Sequence, residues 1–173
     1  MKTLFVIVRT LIYVTGFLFF FGWLAFGVRA FDRSLAWSLP EGTEIPGIVL
    51  LFVGGIIGLS CIGVFVARGR GTPAPFDPPR EFVAIGPYRY TRNPMYIGGL
   101  CLLGGLGLYE RSISILLMVL VLFVVVHLLV VFYEEPTLGK KFGGSYQDYC
   151  REVRRWIPKL RSSLRVHGAN SKR

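Results

Sequence analysis

Residues 95–133 read MYIGGLCLLGGLGLYERSISILLMVLVLFVVVHLLVVFY, and this stretch decides the fold. A helix needs about 20 apolar residues to cross the roughly 30 Å hydrocarbon core of a bilayer. Ile113 to Tyr133, an almost unbroken apolar stretch, meets that requirement. Met95 to Tyr109 is shorter, roughly 22 Å if helical, and is short for a simple span. Only Glu110-Arg111-Ser112 separates the two runs, so they predict a helical hairpin with a polar tip. Both open ends then return to the same membrane surface, bringing the residues just before Met95 to the depth of those just after Tyr133.

Outward from the hairpin the chain keeps this character. Of its 173 residues 53% are hydrophobic and 14% aromatic, and the mean hydropathy is +0.54, too apolar for an ordinary soluble domain of this size. The first apolar run extends from Leu4 to Val28. It exceeds the roughly 7–15 residues of a signal-peptide core and is followed by Arg29, Phe31 and Asp32, so it is expected to be a retained transmembrane helix. Arg29 to Ile45 is a polar connection of net charge −1, suited to the outer side. Pro46 to Ala67 is a second span opened by proline, where a missing N–H is harmless. Gly54 and Gly58 lie four apart on it, the small-residue spacing that lets helices approach closely.

Arg68 to Arg92 carries Pro73, Pro75, Pro78, Pro79 and Pro87, which block continuous helix, and has net charge +3. From Lys140 onward lie ten of the chain's 20 Lys and Arg residues. The formal charge of +10 could suggest nucleic acid. Its placement beside apolar runs fits positive-inside orientation and anionic headgroups instead, with no nucleic-acid motif present. Both termini and the basic loop are therefore expected on the cytoplasmic side. Leu138, Phe142, Tyr146, Tyr149 and Val153 recur at intervals of four, four, three and four, the stripe of an interfacial helix interrupted near Gly143-Gly144. After Pro158 periodicity is lost and a mobile tail is expected.

The expected architecture is an all-α polytopic membrane bundle of about four transmembrane helices, the last two a hairpin, with a C-terminal interfacial helix. It forms a single domain over 1–173, with two helices in 1–67, a site-bearing loop, hairpin and interfacial helix in 68–160, and a flexible tail in 161–173.

Several features could carry chemistry. Gly86-Pro87-Tyr88-Arg89-Tyr90-Thr91-Arg92-Asn93-Pro94-Met95-Tyr96 is polar, aromatic and punctuated by proline, yet abuts the hairpin with no spacer. Its tyrosines suit either an interface belt or the wall of a pocket. Glu134 and Glu135 are adjacent carboxylates at the end of the long apolar run, where the helix dipole is already negative, so a cation is expected beside them. The partner is either a structural arginine (Arg89, Arg92 or one in the tail) or a cationic ligand. His127, alone inside the span, reads as a hydrogen-bonded interhelical residue. Gly98, Gly99, Gly104, Gly105 and Gly107 lack the strand of a nucleotide fingerprint and read as packing positions, while leaving room for a thin ligand. Cys61, Cys101 and Cys150 have no paired spacing, so neither a disulfide framework nor a metal site is expected.

Gly86-Pro87-Tyr88, Arg92-Asn93-Pro94-Met95-Tyr96 with Gly98, Tyr133-Glu134-Glu135-Pro136, Leu138, Phe142-Gly143, Tyr146, Tyr149, Val153 and Arg155-Trp156-Ile157-Pro158 together resemble the isoprenylcysteine carboxyl methyltransferase and phospholipid methyltransferase superfamily. The resemblance runs from Gly86 to Pro158. It implies an integral-membrane enzyme that uses S-adenosylmethionine without a Rossmann domain, its cofactor held at the cytosolic face by the last two helices and the final segment. It further implies that Tyr88, Asn93, Pro94, Met95 and Tyr96 line the cofactor pocket and that Glu134 and Glu135 are the acidic pair associated with binding it. Arg92 matches the motif arginine, directed to a cofactor or substrate carboxylate or holding the glutamates. Arg92, Glu134 and Glu135 are thus the expected catalytic residues.

Asn93 stands where the carboxyl methyltransferases commonly carry His, and Asn-Pro-Met-Tyr with Tyr-Glu-Glu-Pro looks more like the phospholipid branch. The Phe-Gly-x-x-Tyr-x-x-Tyr tail ending in Trp156-Ile157-Pro158 leans the other way. The expected acceptor is therefore a lipophilic, membrane-partitioned molecule methylated on a carboxylate or an amine, with membrane lipids as the surroundings. The rival reading is a non-catalytic scaffold or lipid-binding member of the same family.

Overall fold

The computed structural model describes residues 2–35, 38–68 and 84–158, whose regular structure is all helical. The expected flexible tail and most of the proline-rich loop lie outside the described residues. Helix α1 (Lys2–Arg29) is followed by a single turn, α2 (Asp32–Leu35), then α3 (Glu44–Arg68). A 3₁₀ turn at Gly86–Arg89 leads into α4 (Pro94–Tyr109) and α5 (Ile113–Leu129). A π-helical turn at Val130–Glu134 joins α5 to α6 (Glu135–Phe142), and α7 (Gly144–Glu152) is the last helix among the described residues.

Three segments are long and apolar enough to cross a membrane, Leu11–Leu35, Glu44–Val64 and Ile113–Phe142, with Pro94–Tyr109 as a shorter apolar helix. The fold is the all-helical membrane bundle that the sequence predicts. Many large apolar side chains face outward, Phe19 at 77% and Phe132 at 75% exposure among them, which a bilayer accommodates and water would not.

The hairpin forms as expected, and its tip shows why. Arg111 takes a left-handed backbone (φ 53°), which reverses the chain within a few residues. The Ser112 hydroxyl then accepts from the N–H of Ile115 at 3.1 Å, capping α5. At the same end Arg29 pairs with Glu110 at 2.7 Å, and Asp32 accepts from the Ser114 N–H at 2.9 Å. Arg111 donates from Nε and Nη2 to the Leu39 carbonyl, so the hairpin tip is tied to the ends of both preceding helices.

Helices α3 and α4 pack so closely that their glycines are steric requirements. A Cβ on Gly54 would stand 2.7 Å from the Gly98 carbonyl oxygen, and one on Gly105 would stand 2.8 Å from the Gly47 carbonyl oxygen. Glycine packing was the reading of both runs, and Gly54, Gly98 and Gly105 fulfil it. Around Ala25, Leu103 and Ile115 a small core gathers from α1, α4 and α5. A second core, Tyr146, Tyr149 and Val153 with Leu138, Phe142 and Ala84, is the stripe read from the sequence. It is split between α6 and α7 by Gly143, whose φ of 56° turns the chain where an L side chain would be strained.

One boundary differs from expectation. The run that reads as ending at Tyr133 continues through the π turn to Phe142. Pro136 has no N–H to donate to the preceding turn, and the ladder widens there: the Glu135 N–H reaches back five residues to the Val130 carbonyl. Glu134 and Glu135 therefore sit inside a continuous helical path rather than at its negative end.

Candidate functional site

The open end of the hairpin brings the two expected halves together. Arg92 Nη1 lies 2.9 Å from Glu135 Oε1, and the Tyr96 hydroxyl donates to Glu134 Oε2 at 3.2 Å. Adjacent residues on a helix project about 100° apart, so the two carboxylates face different neighbours. Glu134 turns toward α4, and Glu135 toward the segment after α7.

That segment supplies a residue that sequence reasoning quoted but gave no role. Arg155 grips Glu135 through Nε to Oε1 at 2.7 Å and Nη2 to Oε2 at 2.8 Å, the parallel two-point geometry that suits guanidinium and carboxylate. This hydrogen bonding raises the Arg155 pKa above its usual value. Glu135, 18% exposed, thus faces two arginines, which share its Oε1. Among the described residues Glu134 has no cationic partner; its neighbour is the Tyr96 hydroxyl. The cation expected beside the pair is present for one glutamate alone.

Arg92 has further capacity. Its Nη1 also approaches Cys150 Sγ at 3.0 Å, and its Nε is buried without a hydrogen-bond partner. Burying such a donor unpaired is costly, which marks a place for an oxygen ligand.

Asn93 and Pro94 serve the turn itself. Asn93 is 6% exposed and Pro94 is fully buried. The Asn93 Nδ2 donates to the Arg155 carbonyl at 3.2 Å, where the Thr91 hydroxyl also donates at 2.9 Å, while the Arg92 N–H reaches the Arg154 carbonyl at 2.9 Å. Pro94 opens α4, and Met95 follows half-buried. Tyr88 is held from two sides: its carbonyl accepts from the Tyr149 hydroxyl at 2.6 Å, and its own hydroxyl reaches Cys61 of α3. Burial pushes the phenols of both Tyr88 and Tyr149 above their ordinary range.

Of the expected site residues, Arg92, Tyr96, Glu134 and Glu135 form one cluster, Asn93 and Pro94 support it from beneath, and Tyr88 anchors the preceding turn to α3 and α7. His127 is hydrogen bonded as expected, but by the C-terminal segment rather than another helix: Trp156 Nε1 donates to His127 Nδ1 at 3.0 Å, and the Trp156 ring packs edge-on against Phe123. The signal for Arg155 was electrostatic, since two buried carboxylates in sequence call for more than one cation. A cleft of about 810 Å³ at the opposite end, lined by Phe26, Arg33, Ser38 and the charged residues around the hairpin tip, is remote from this cluster.

A sequence profile of the phospholipid methyltransferase family matches residues 43–145, more than half of the chain, taking in α3, the hairpin, the turn with Arg92 and both glutamates. No curated protein and no solved structure matches. The chain belongs to the phospholipid methyltransferase family, a family of membrane methyltransferases.

Proposed function

We propose that the protein transfers a methyl group from S-adenosylmethionine to a lipophilic acceptor held in the membrane, and that the acceptor atom is an amine nitrogen. One observation carries the reading: among the described residues Glu134 is a half-buried carboxylate without a cation, while its neighbour Glu135 has two. A lone carboxylate in such surroundings is unfavourable unless a positive ligand completes it.

The residues present fit S-adenosylmethionine. Its amino-acid end carries a carboxylate and an ammonium group; the orphaned Nε of Arg92 suits the first and Glu134 the second or the sulfonium. Bound there, the molecule supplies an electrophilic methyl group on a sulfur whose positive charge disappears on transfer. The chain's own task is alignment and exclusion of water. The Tyr96 hydroxyl fixes the Glu134 carboxylate, and the turn 91–93, clamped on segment 154–155, fixes Arg92.

Charge favours the amine. Among the described residues Arg92 and Arg155 are both paired with Glu135, and the remaining Nε of Arg92 is assigned here to the donor's carboxylate, which leaves an acceptor carboxylate without a cation of its own in this cluster. In this reading Glu134 lies beside the sulfonium, where donor methyl and acceptor nitrogen meet, and takes the proton that must leave before nitrogen can attack. The basic residues flanking this end of the bundle support a cytoplasmic site and cytoplasmic termini.

Purified protein in vesicles of total membrane lipid, supplied with methyl-labelled S-adenosylmethionine, tests the proposal. Label in an acid- and base-stable N-methyl lipid is expected. Label released by mild base as methanol would assign a carboxylate acceptor, and absence of saturable donor binding would leave the non-catalytic reading.

A further inference from the structure

We propose that the two adjacent glutamates divide the work of the site: Glu135 is a positioning residue, neutralised by Arg155 and Arg92, and Glu134 alone is presented to the ligand. The inference deepens the methyltransferase reading above and rests on it.

The argument begins with saturation. Both Glu135 oxygens are taken by Arg155, and Oε1 is shared with Arg92 Nη1. All three side chains are shielded, with Arg92 at 14% and Arg155 at 30% exposure. Desolvating such a group is offset only by close geometry of this kind, and a ligand hydroxyl or ammonium would have to displace a two-point guanidinium bond to reach it. Among the described residues no comparable contact competes for Glu134, whose neighbour is a neutral hydroxyl.

The Arg155 backbone is fixed independently of its side chain. Thr91 and Asn93 both donate to its carbonyl, and the neighbouring Trp156 is bonded to His127. Glu135 is therefore gripped by an arm that is already attached to the turn carrying Arg92 and to α5. Holding Glu135 sets the rotation of the helical path at that point. Glu134, one residue earlier, is thereby held toward α4, against the Tyr96 hydroxyl. Arg155 controls donor affinity in this scheme without touching the donor.

Epistasis tests this directly. Full-length protein in vesicles is titrated with labelled S-adenosylmethionine over a wide concentration range, for wild type, Glu134→Gln, Glu135→Gln, Arg155→Gln and the doubles Glu134→Gln/Glu135→Gln and Glu134→Gln/Arg155→Gln. Glu134→Gln is expected to weaken binding by about 30-fold, the scale of a lost charged hydrogen bond. Arg155→Gln and Glu135→Gln should each weaken binding by about five- to tenfold in the wild-type background, and by less than about twofold once Glu134 is Gln. Their loss of thermal stability should persist in both backgrounds, which separates aiming from folding. Arg155→Lys, keeping the charge and one bond, should recover part of the affinity. A Glu135→Gln effect of equal size in both backgrounds would overturn the proposal, because Glu135 would then meet the ligand on its own account. Wild-type protein without saturable binding would overturn the underlying methyltransferase reading, and the division of labour with it.

Discussion

The Tyr96 hydroxyl donates to Glu134 Oε2 at 3.2 Å, joining the first turn of α4 to the π turn after α5 across 38 positions of sequence. The contact exists because the short hairpin returns both ends to one depth, and because the widened turn points Glu134 at α4 while Glu135 faces the arm. Removing the hydroxyl leaves the carboxylate in place but unaligned. Tyr96→Phe is expected to lower kcat/KM about tenfold, close to the 1.4 kcal/mol of a single modest hydrogen bond, with little change in thermal midpoint. Steady-state kinetics and a melting curve on the same preparation check it; unchanged kinetics would remove Tyr96 from the site.

The attachment of the arm to α5 yields a second expectation. Trp156 Nε1 donates to His127 Nδ1 at 3.0 Å, so Trp156→Phe keeps the packing against Phe123 and loses the bond. A cost of about 1 kcal/mol is expected, with the same loss from His127→Phe and no further loss in the double variant. Additive losses in denaturant titrations would mean that the two residues act separately.

Much of this arrangement can be read before any coordinates are known, and the exceptions are instructive. The meeting of Arg92 and Tyr96 with the glutamates follows from apolar run lengths and one polar turn. The stripe from Leu138 to Val153 also reads correctly, because its period is set by packing. The helix end at Tyr133 was misplaced because two carboxylates and Pro136 resemble a terminus; a π turn absorbs the proline and leaves no trace in the hydrophobic pattern. Asn93 reads as a pocket residue on its motif, and its amide bond to the Arg155 backbone is a contact that the motif does not announce. The division between Glu134 and Glu135 depends on which way a widened helix turns, and composition carries no record of that.

Orientation is open to a simple measurement. Five Lys and Arg residues lie between Arg68 and Arg92 and ten from Lys140 onward, against a net charge of −1 between Arg29 and Ile45. By the positive-inside rule the Arg92–Glu135 end is expected at the cytoplasm. A reporter fused after Arg173 should be active only in its cytoplasmic form. Activity on the opposite face would reverse the entry route for a soluble donor.

The α3–α4 seam gives a steric prediction with an internal control. A Cβ at position 105 would lie 2.8 Å from both the Gly47 carbonyl oxygen and the Leu51 nitrogen, backbone atoms that cannot turn aside, whereas a Cβ at position 104 meets nothing within 4 Å. Gly105→Ala must therefore part the helices and is expected to cost about 1–3 kcal/mol, the usual range for overpacking. Gly104→Ala should be neutral or slightly stabilising, since alanine is the better helix former by about 1 kcal/mol. Because α4 carries Tyr96 on its first turn, separation of the seam should also weaken donor binding in Gly105→Ala, and thermal midpoints and donor titrations on the pair of variants would register both effects. Equal midpoints for the two alanine variants would mean that the seam is looser than its glycines indicate, and that Tyr96 is held in position by the turn at 91–93 instead.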